Sequence, residues 1–351
     1  MTGVNKYLVS EGNSIKDALM RLNTFTMNDG LTLFVLNKDG QLCGTLTDGD
    51  IRRALIDNQD IRVKLGSIMN TTYKYIKRNQ FTTGDIQNIK LKGVNLLPLI
   101  DDEGRIIKII NLSKTKSVIP VDVVIMAGGK GERLLPLTKT TPKPLLIVGD
   151  KPIIEHNIDR LSLFGMDNIY ITLRYLGDQI RSYFSDGASK NISIKYVEEK
   201  DPLGTIGALS LIDDFTHDNV LIMNSDLLTN INWEIFYSEF CQSDADMMVA
   251  TIPYEVQVPY AVLETNDINE IQSFKEKPTY TYFSNAGIYL VKKKNLDIIP
   301  ENVMYNATDL IEDLIANGKK VVTYSILDYW LDIGRQDDYK KANEDIKHLK
   351  L

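Results

Sequence analysis

Hydrophobic and polar positions follow two different rhythms along this chain of 351 residues, and the change falls near residue 119. Before it, Leu31 to Arg53 and Val94 to Lys116 share one pattern when Gly40 is set on Gly104. Each has an apolar strand, an Asp/Gly turn and a second apolar strand, which is a β-hairpin unit occurring twice. A helix is predicted ahead of each copy. Ser14 to Leu22 places Ile15, Ala18, Leu19 and Leu22 on one side, with Ser14 as N-cap, and Thr83 to Leu91 is the weaker counterpart. After residue 119, strand and helix patterns alternate. Strands are expected at Val121 to Met126, Leu145 to Val148, Ile169 to Leu173, Ile192 to Val197 and Val220 to Met223. Helices are expected from Pro152 to about Phe164, from Asp178 to Phe184, and onward from Ile206.

That alternation predicts an α/β fold, a Rossmann-like and mostly parallel sheet with helices on both faces, preceded by a small α+β module. The polar stretch Ser113 to Pro120 marks the boundary, giving domains at 1–119 and 120–351. Charge divides at the same place. Residues 1–119 carry 17 Lys and Arg against 12 Asp and Glu, and the remainder 23 against 35. Two domains with different roles would produce such a split.

Composition narrows the class of protein. Hydrophobic residues make up 43% and charged residues 25%, ordinary values for a globular chain. No apolar run is long enough to span a bilayer, and no basic-then-apolar leader opens the sequence, so no membrane partner and a cytoplasmic location are expected. The basic residues form no dense patch with interleaved aromatics, which argues against nucleic acid. Cys43 and Cys241 lie far apart and His156, His217 and His348 are scattered, so neither disulfide nor zinc is expected.

Candidate chemistry concentrates in the second domain. After the strand at Val121 to Met126 come Ala127, Gly128, Gly129 and Gly131, where a triphosphate could lie against backbone N–H groups. Arg133 and Lys143 add cations suited to phosphate oxygens. The loop is no Walker A, having no terminal Gly-Lys-Ser/Thr, and it is a poor dinucleotide fingerprint. Asn224-Ser225-Asp226 ends a later strand. A carboxylate there, close to phosphates, is what Mg²⁺ requires. Glu198 and Glu199 precede a Leu-Gly-Thr-x-Gly segment containing Gly204 and Thr205. Guanine presents N1–H and its 2-amino group side by side, so one carboxylate could accept both bonds; an exposed acidic loop is the alternative.

The uninterrupted pattern A-G-G-x-G-x-R-L-x-P-x-T with a following P-K-P resembles the sugar-1-phosphate nucleotidyltransferases, over about two-thirds of the chain. The resemblance implies transfer of a nucleotidyl group from a nucleoside triphosphate to a sugar 1-phosphate, with release of pyrophosphate. It implies that Asp332, in Trp-Leu-Asp-Ile-Gly, is a second Mg²⁺ ligand beside Asp226. It implies that Glu276 and Lys277 meet the sugar and its phosphate, that Asn285 and Gly287 face the sugar, and that the Leu-Gly-Thr-x-Gly segment lies against the base. The repeat in the first third resembles a tandem pair of CBS domains. By that resemblance Thr47, Asp50 and Arg52, in Gly-x-x-Thr-x-x-Asp-x-Arg, would hold an adenine nucleotide. In the second copy Lys108, Asn111 and Lys114 replace the pattern. A purely structural or dimerising pair is the alternative, and CBS pairing implies a homo-oligomer. Domain order and the Leu-Gly-Thr-x-Gly motif resemble the glucosamine-1-phosphate guanylyltransferases of bacterial legionaminic acid synthesis, which favours GTP. Thymidylyl or uridylyl transfer, and a non-catalytic nucleotide sensor, remain the competing expectations.

Overall fold

The structure, a computed structural model, describes residues 4–349 apart from 27–28, 58–59 and 78–79. The chain divides into two compact units, Met1–Val118 and Ile119–Leu351.

In the first unit, the strand Leu8–Ser10 runs parallel to Thr32–Leu36, which turns back into Leu42–Thr47. Ile76–Lys77, Leu96–Ile100 and Ile106–Asn111 repeat that arrangement. Even the irregularities correspond, with register slips between Val35 and Leu36 and between Leu99 and Ile100. Gly40 and Gly104 close the two turns at φ 78° and 81°, a conformation glycine adopts without steric cost. The helices Ile15–Leu22 and Thr83–Leu91 link first strand to second in each copy, each opened by a capping box, Ser14 with Asp17 and Thr82 with Asp85. Tyr7, Phe34 and Leu42 from one copy pack with Leu96 and Ile100 of the other, so the repeat shares part of its core. The first copy ends in a further helix, Asp48–Ile56; among the described residues the second has none.

The second unit is built on a seven-stranded sheet. Its order is Ser193–Glu198, Asn168–Leu173, Asp122–Met126, Asn219–Asn224, Thr279–Lys292, Met247–Gln257 and Val321–Ser325. All run parallel except Thr279–Lys292, which is antiparallel to both neighbours. Alternate residues of the central strands enter opposite cores. Val123, Ile125, Leu221 and Met223 face one core with the helices Ile153–Leu163 and Trp233–Ser243. Val124, Val220 and Ile222 face another with the helix Ala307–Ala316. This is the arrangement of a sheet covered on both sides.

Three details depart from the pattern read in the sequence. The helix expected from Ile206 is a short 3-10 turn, Gly207–Leu211, because its backbone is drawn to Tyr305 O rather than along a helix. The strand at Leu145 to Val148 shrinks to Ile147–Val148, after a 3-10 turn at Lys143–Leu145. Asp122, the one polar residue in the first strand, is fully buried. Its carboxylate accepts from Asn168 Nδ2, Thr216 Oγ1 and the N–H groups of Thr216 and His217, so the burial is compensated.

Strand order reverses between Asp122–Met126 and Asn219–Asn224. Loops leaving the carboxyl ends of two such strands diverge and open a crevice. Beyond Thr251 and Asn285, the strands Met247–Gln257 and Thr279–Lys292 leave the sheet as a two-stranded ribbon carrying exposed Tyr254, Tyr282 and Phe283.

Candidate active site

The crevice is a cavity of about 610 Å³, with the glycine loop as one wall. Each glycine has its own reason. Gly131 sits at φ 64°, and a Cβ there would come within 3.0 Å of Thr138 and 3.1 Å of Lys143. A Cβ on Gly128 would stand 2.8 Å from the Glu199 carboxylate. Gly129 has nothing within 4 Å and leaves open room for a ligand to approach the backbone. Ala127, Gly128, Gly129, Gly131, Arg133 and Lys143 all line the cavity.

On the other wall the strand Asn219–Asn224 delivers Asn224, Ser225 and Asp226. A small antiparallel ribbon then brings Asp332 alongside. Leu227–Thr229 pairs with Trp330–Asp332, Leu227 lies opposite Asp332, and Ile333 N–H donates to Asp226 O at 3.1 Å. The Trp330 indole N–H donates to Ala286 O at 3.0 Å and pins the ribbon to the main sheet. Two acids 106 positions apart in sequence are neighbours for this reason.

The Lys143 ammonium donates to Asp226 Oδ2 and stands 4.0 Å from Asp332 Oδ1. Asp226 Oδ1 and Asp332 Oδ1 are buried and have no hydrogen-bond partner. Burial, and then the Asp226 charge, push the Asp332 carboxyl above the usual carboxylate range, while Lys143 and Arg133 pull the other way. Unsatisfied buried carboxylate oxygens are costly, so their pairing beside the glycine loop fits a divalent cation. Among the described residues no group of three or more His, Cys, Asp and Glu gathers, so the further ligands would be phosphate oxygens and water.

Glu198 and Glu199 separate cleanly. Glu198 pairs with Arg181 away from the cavity. Glu199 lines the cavity, accepts from Leu203 N–H at 3.3 Å, and has its carboxyl pushed upward by burial. The segment after it packs tightly on residues 303–307. A Cβ on Gly204 would meet Tyr305 O at 2.7 Å, and one on Gly207 would meet Val303 O at 2.7 Å. Thr205 Oγ1 accepts from Ala307 N–H, so its hydroxyl caps a helix while its residue lines the cavity.

The remaining sugar-facing candidates lie elsewhere. Glu276 and Lys277 are exposed beyond the strand Ile271–Lys275 and do not line the cavity. Thr279 and Asn285 are six residues apart on one strand, about 20 Å at ~3.3 Å per residue, and Glu276 and Lys277 lie in the turn before Thr279. Asn285 is exposed, outside the cavity, and accepts from Gly287 N–H. Gly287 acts through its missing Cβ, which would come within 2.4 Å of the Asn224 amide that does line the cavity. Reading the sequence missed Arg174 and Met304, which line the cavity too. Arg174 directly follows the carboxyl end of a strand, where ligand residues concentrate, so that signal was present.

In the first unit, Asp50 Oδ2 accepts from Thr47 N–H and Oγ1–H, Asp50 N–H donates to Thr47 Oγ1, and Arg53 takes Asp50 Oδ1. Thr47 and Asp50 form the capping box of Asp48–Ile56. Arg52 points outward and pairs with Asp48. Gly44, where a Cβ would meet Met69 Sδ at 2.5 Å, is required by packing.

The family model for nucleotidyl transferases matches residues 122–348, and that for the CBS domain matches residues 5–57. A UTP–glucose-1-phosphate uridylyltransferase of Synechocystis sp. is 29% identical over 252 residues, covering 65% of this chain and 65% of its own length. A mannose-1-phosphate guanylyltransferase of Mycobacterium tuberculosis is 27% identical over 233 residues, covering 64% of each. This chain thus spans just under two-thirds of those relatives. A crystal structure of a putative glucose-1-phosphate thymidylyltransferase from Bacillus anthracis shares the fold with a TM-score of 0.53 at 23% identity, covering 66% of this chain and 97% of that one. Among the described residues no helix is long and apolar enough to cross a membrane.

Proposed function

The chain belongs to the nucleotidyl transferase family, and from that premise we propose that it joins a nucleoside triphosphate to a sugar 1-phosphate and releases pyrophosphate. The observation that carries this reading is the acid pair: Asp226 lines the cavity opposite the glycine loop, Asp332 is held beside it by the ribbon, and each has a buried oxygen with no hydrogen-bond partner. A sugar phosphate oxygen attacks the α-phosphorus, the new P–O bond forms, and the α–β bridging bond breaks to free pyrophosphate. A phosphate monoester is largely ionised near neutral pH, so no side chain has to remove a proton. Catalysis then rests on positioning and on charge stabilisation.

Arg133 is the cation for the leaving phosphates, and Lys143 meets phosphate near the reacting centre. Asp226 and Asp332 would hold Mg²⁺, which when bound neutralises charge developing on the α-phosphate and the pyrophosphate. Backbone N–H groups of Gly128 and Gly129 cradle the triphosphate.

Guanine is the base favoured by Glu199. It lines the cavity beside Gly204 and Pro202, whereas Glu198 is taken by Arg181. A carboxylate accepts both N1–H and the 2-amino group, and a buried one left without them is destabilised. Glucosamine 1-phosphate is the first acceptor to try, on the resemblance in domain order. The first unit serves structure or assembly in this reading, because Asp50 is already occupied in capping and by Arg53.

Four nucleoside triphosphates assayed against several sugar 1-phosphates with Mg²⁺, by pyrophosphate release, test the reading. Fastest turnover is expected with GTP. Faster turnover with UTP or dTTP would overturn the base assignment, and no turnover with any pair would overturn the transferase reading.

A further inference from the structure

Lys143 stands in an unusual place for a phosphate-binding lysine. Its residue is 9% exposed, and its ammonium is directed at the two acids rather than at the open loop. It occupies one oxygen of Asp226, and it is the nearest cation to Asp332 Oδ1 among the ion pairs of the described residues. The two carboxylates therefore share one ammonium in direct contact, with the Arg133 guanidinium acting on Asp332 as well. Without Lys143 the pair would lose its nearest cation in a half-buried setting, where like charges repel strongly. A divalent cation approaching this pair meets the ammonium first, because the two cations compete for the same two carboxyl groups.

We propose that Lys143 is a placeholder for the metal. It neutralises Asp226 and Asp332 while the site is free, and it keeps a lone divalent ion from binding tightly there. A nucleoside triphosphate offers the ammonium new anionic partners, draws it off Asp226, and so lets metal and nucleotide enter together. By linkage, whatever factor the nucleotide adds to metal affinity the metal adds to nucleotide affinity. Lys143 thereby acts as a positioning residue that sets the order of binding, in addition to its phosphate contact. This rests on the reading of Asp226 and Asp332 as metal ligands.

The test is Mn²⁺ binding to the full chain without nucleotide, followed by electron paramagnetic resonance. Lys143→Met and Lys143→Gln are compared with the parent, and thermal melting verifies that each variant is folded. Mn²⁺ is expected to bind at least tenfold more tightly to either variant, and a second change, Asp226→Asn, should abolish the gain. Equal affinity in parent and variants would overturn the placeholder role while leaving the metal reading intact. No saturable Mn²⁺ binding in parent or variants would overturn the metal reading and the placeholder with it. A gain that survives Asp226→Asn would put the ion elsewhere and overturn the proposal as well.

Discussion

Motif aspartates at or just past the ends of strands, Asp50 in the first unit and Asp226 with Asp332 in the second, meet opposite fates. Asp50 has both oxygens engaged, one by Thr47 and the other by Arg53, before any ligand arrives. Asp226 and Asp332 each retain a buried oxygen with no partner, and share a single ammonium. A carboxylate used for folding is satisfied in the free chain. One that the proposed reading reserves for a ligand is held in deficit, with a cost that the surrounding fold must carry. The raised Asp332 carboxyl is the local sign of that cost. Motif spacing alone does not separate the two cases; the accounting of lone pairs does.

The largest expected effect tests the deficit directly. Asp226→Ala should cut turnover by a factor of several hundred or more, since losing one preorganised electrostatic partner costs about 3–4 kcal/mol of transition-state stabilisation. Arg133→Ala should do the same, as it removes the leaving-group cation. Neither should lower the melting temperature much; the Asp226 side chain has no hydrogen-bond partner beyond Lys143 among the described residues. Pyrophosphate release and circular dichroism melts on the same preparations check both halves. Near-parental rates with lowered melting would make Asp226 a folding residue like Asp50 and erase the contrast.

A smaller effect belongs to Glu199. Glu199→Gln keeps the shape but loses one acceptor and the charge. Hydrogen bonds to charged groups are worth about 1.5–3 kcal/mol, so kcat/KM for GTP should fall roughly 10- to 100-fold while that for UTP stays near its parental value. The parent should show a matching pH signature. Burial raises the Glu199 carboxyl, so it takes up its proton at a higher pH than an ordinary glutamate does. GTP-dependent kcat/KM should therefore decline as pH falls through that raised value, and the decline should vanish in the Gln variant. Identical acid limbs in both proteins would remove Glu199 from base recognition.

How much of this was legible in the residues depends on what kind of fact each was. Gly131 was legible as part of a glycine-rich loop, but its left-handed turn beside Thr138 and Lys143 gives a packing reason the sequence did not show. The helix Thr83–Leu91 and the strand Asn168–Leu173 were set by local pattern, and they stand where the pattern put them. Asp226 and Asp332 were each visible as motifs, but their contact was not. It depends on the register of Leu227–Thr229 against Trp330–Asp332, a long-range pairing with no local signature. Glu198 and Glu199 were indistinguishable until the end of the strand Ser193–Glu198 was known, because adjacent strand residues face opposite ways. Glu276 and Lys277 rested on resemblance alone, and the ribbon carries them away from the cavity. Met304 had no signal at all, since it reaches the cavity only through the packing of residues 303–307 against Gly204 and Gly207.

The smallest expected effect returns to Asp50. Asp50→Ala removes the acid of a capping box and the partner of Arg53. Loss of a cap costs about 0.5–2 kcal/mol, and in a domain of about 100 residues each kcal/mol shifts melting by roughly 4–8 °C. The first unit should therefore melt several degrees lower, with the second unit's transition and the pyrophosphate-release rate unchanged. Thr47→Ser keeps a hydroxyl in the box and should recover most of the stability that Thr47→Ala loses. Calorimetry of the full chain resolves the two transitions. Should Asp50→Ala leave melting untouched yet abolish a heat of AMP or ATP binding seen in the parent, Asp50 would be a ligand acid held ready, and the difference between the two units would disappear.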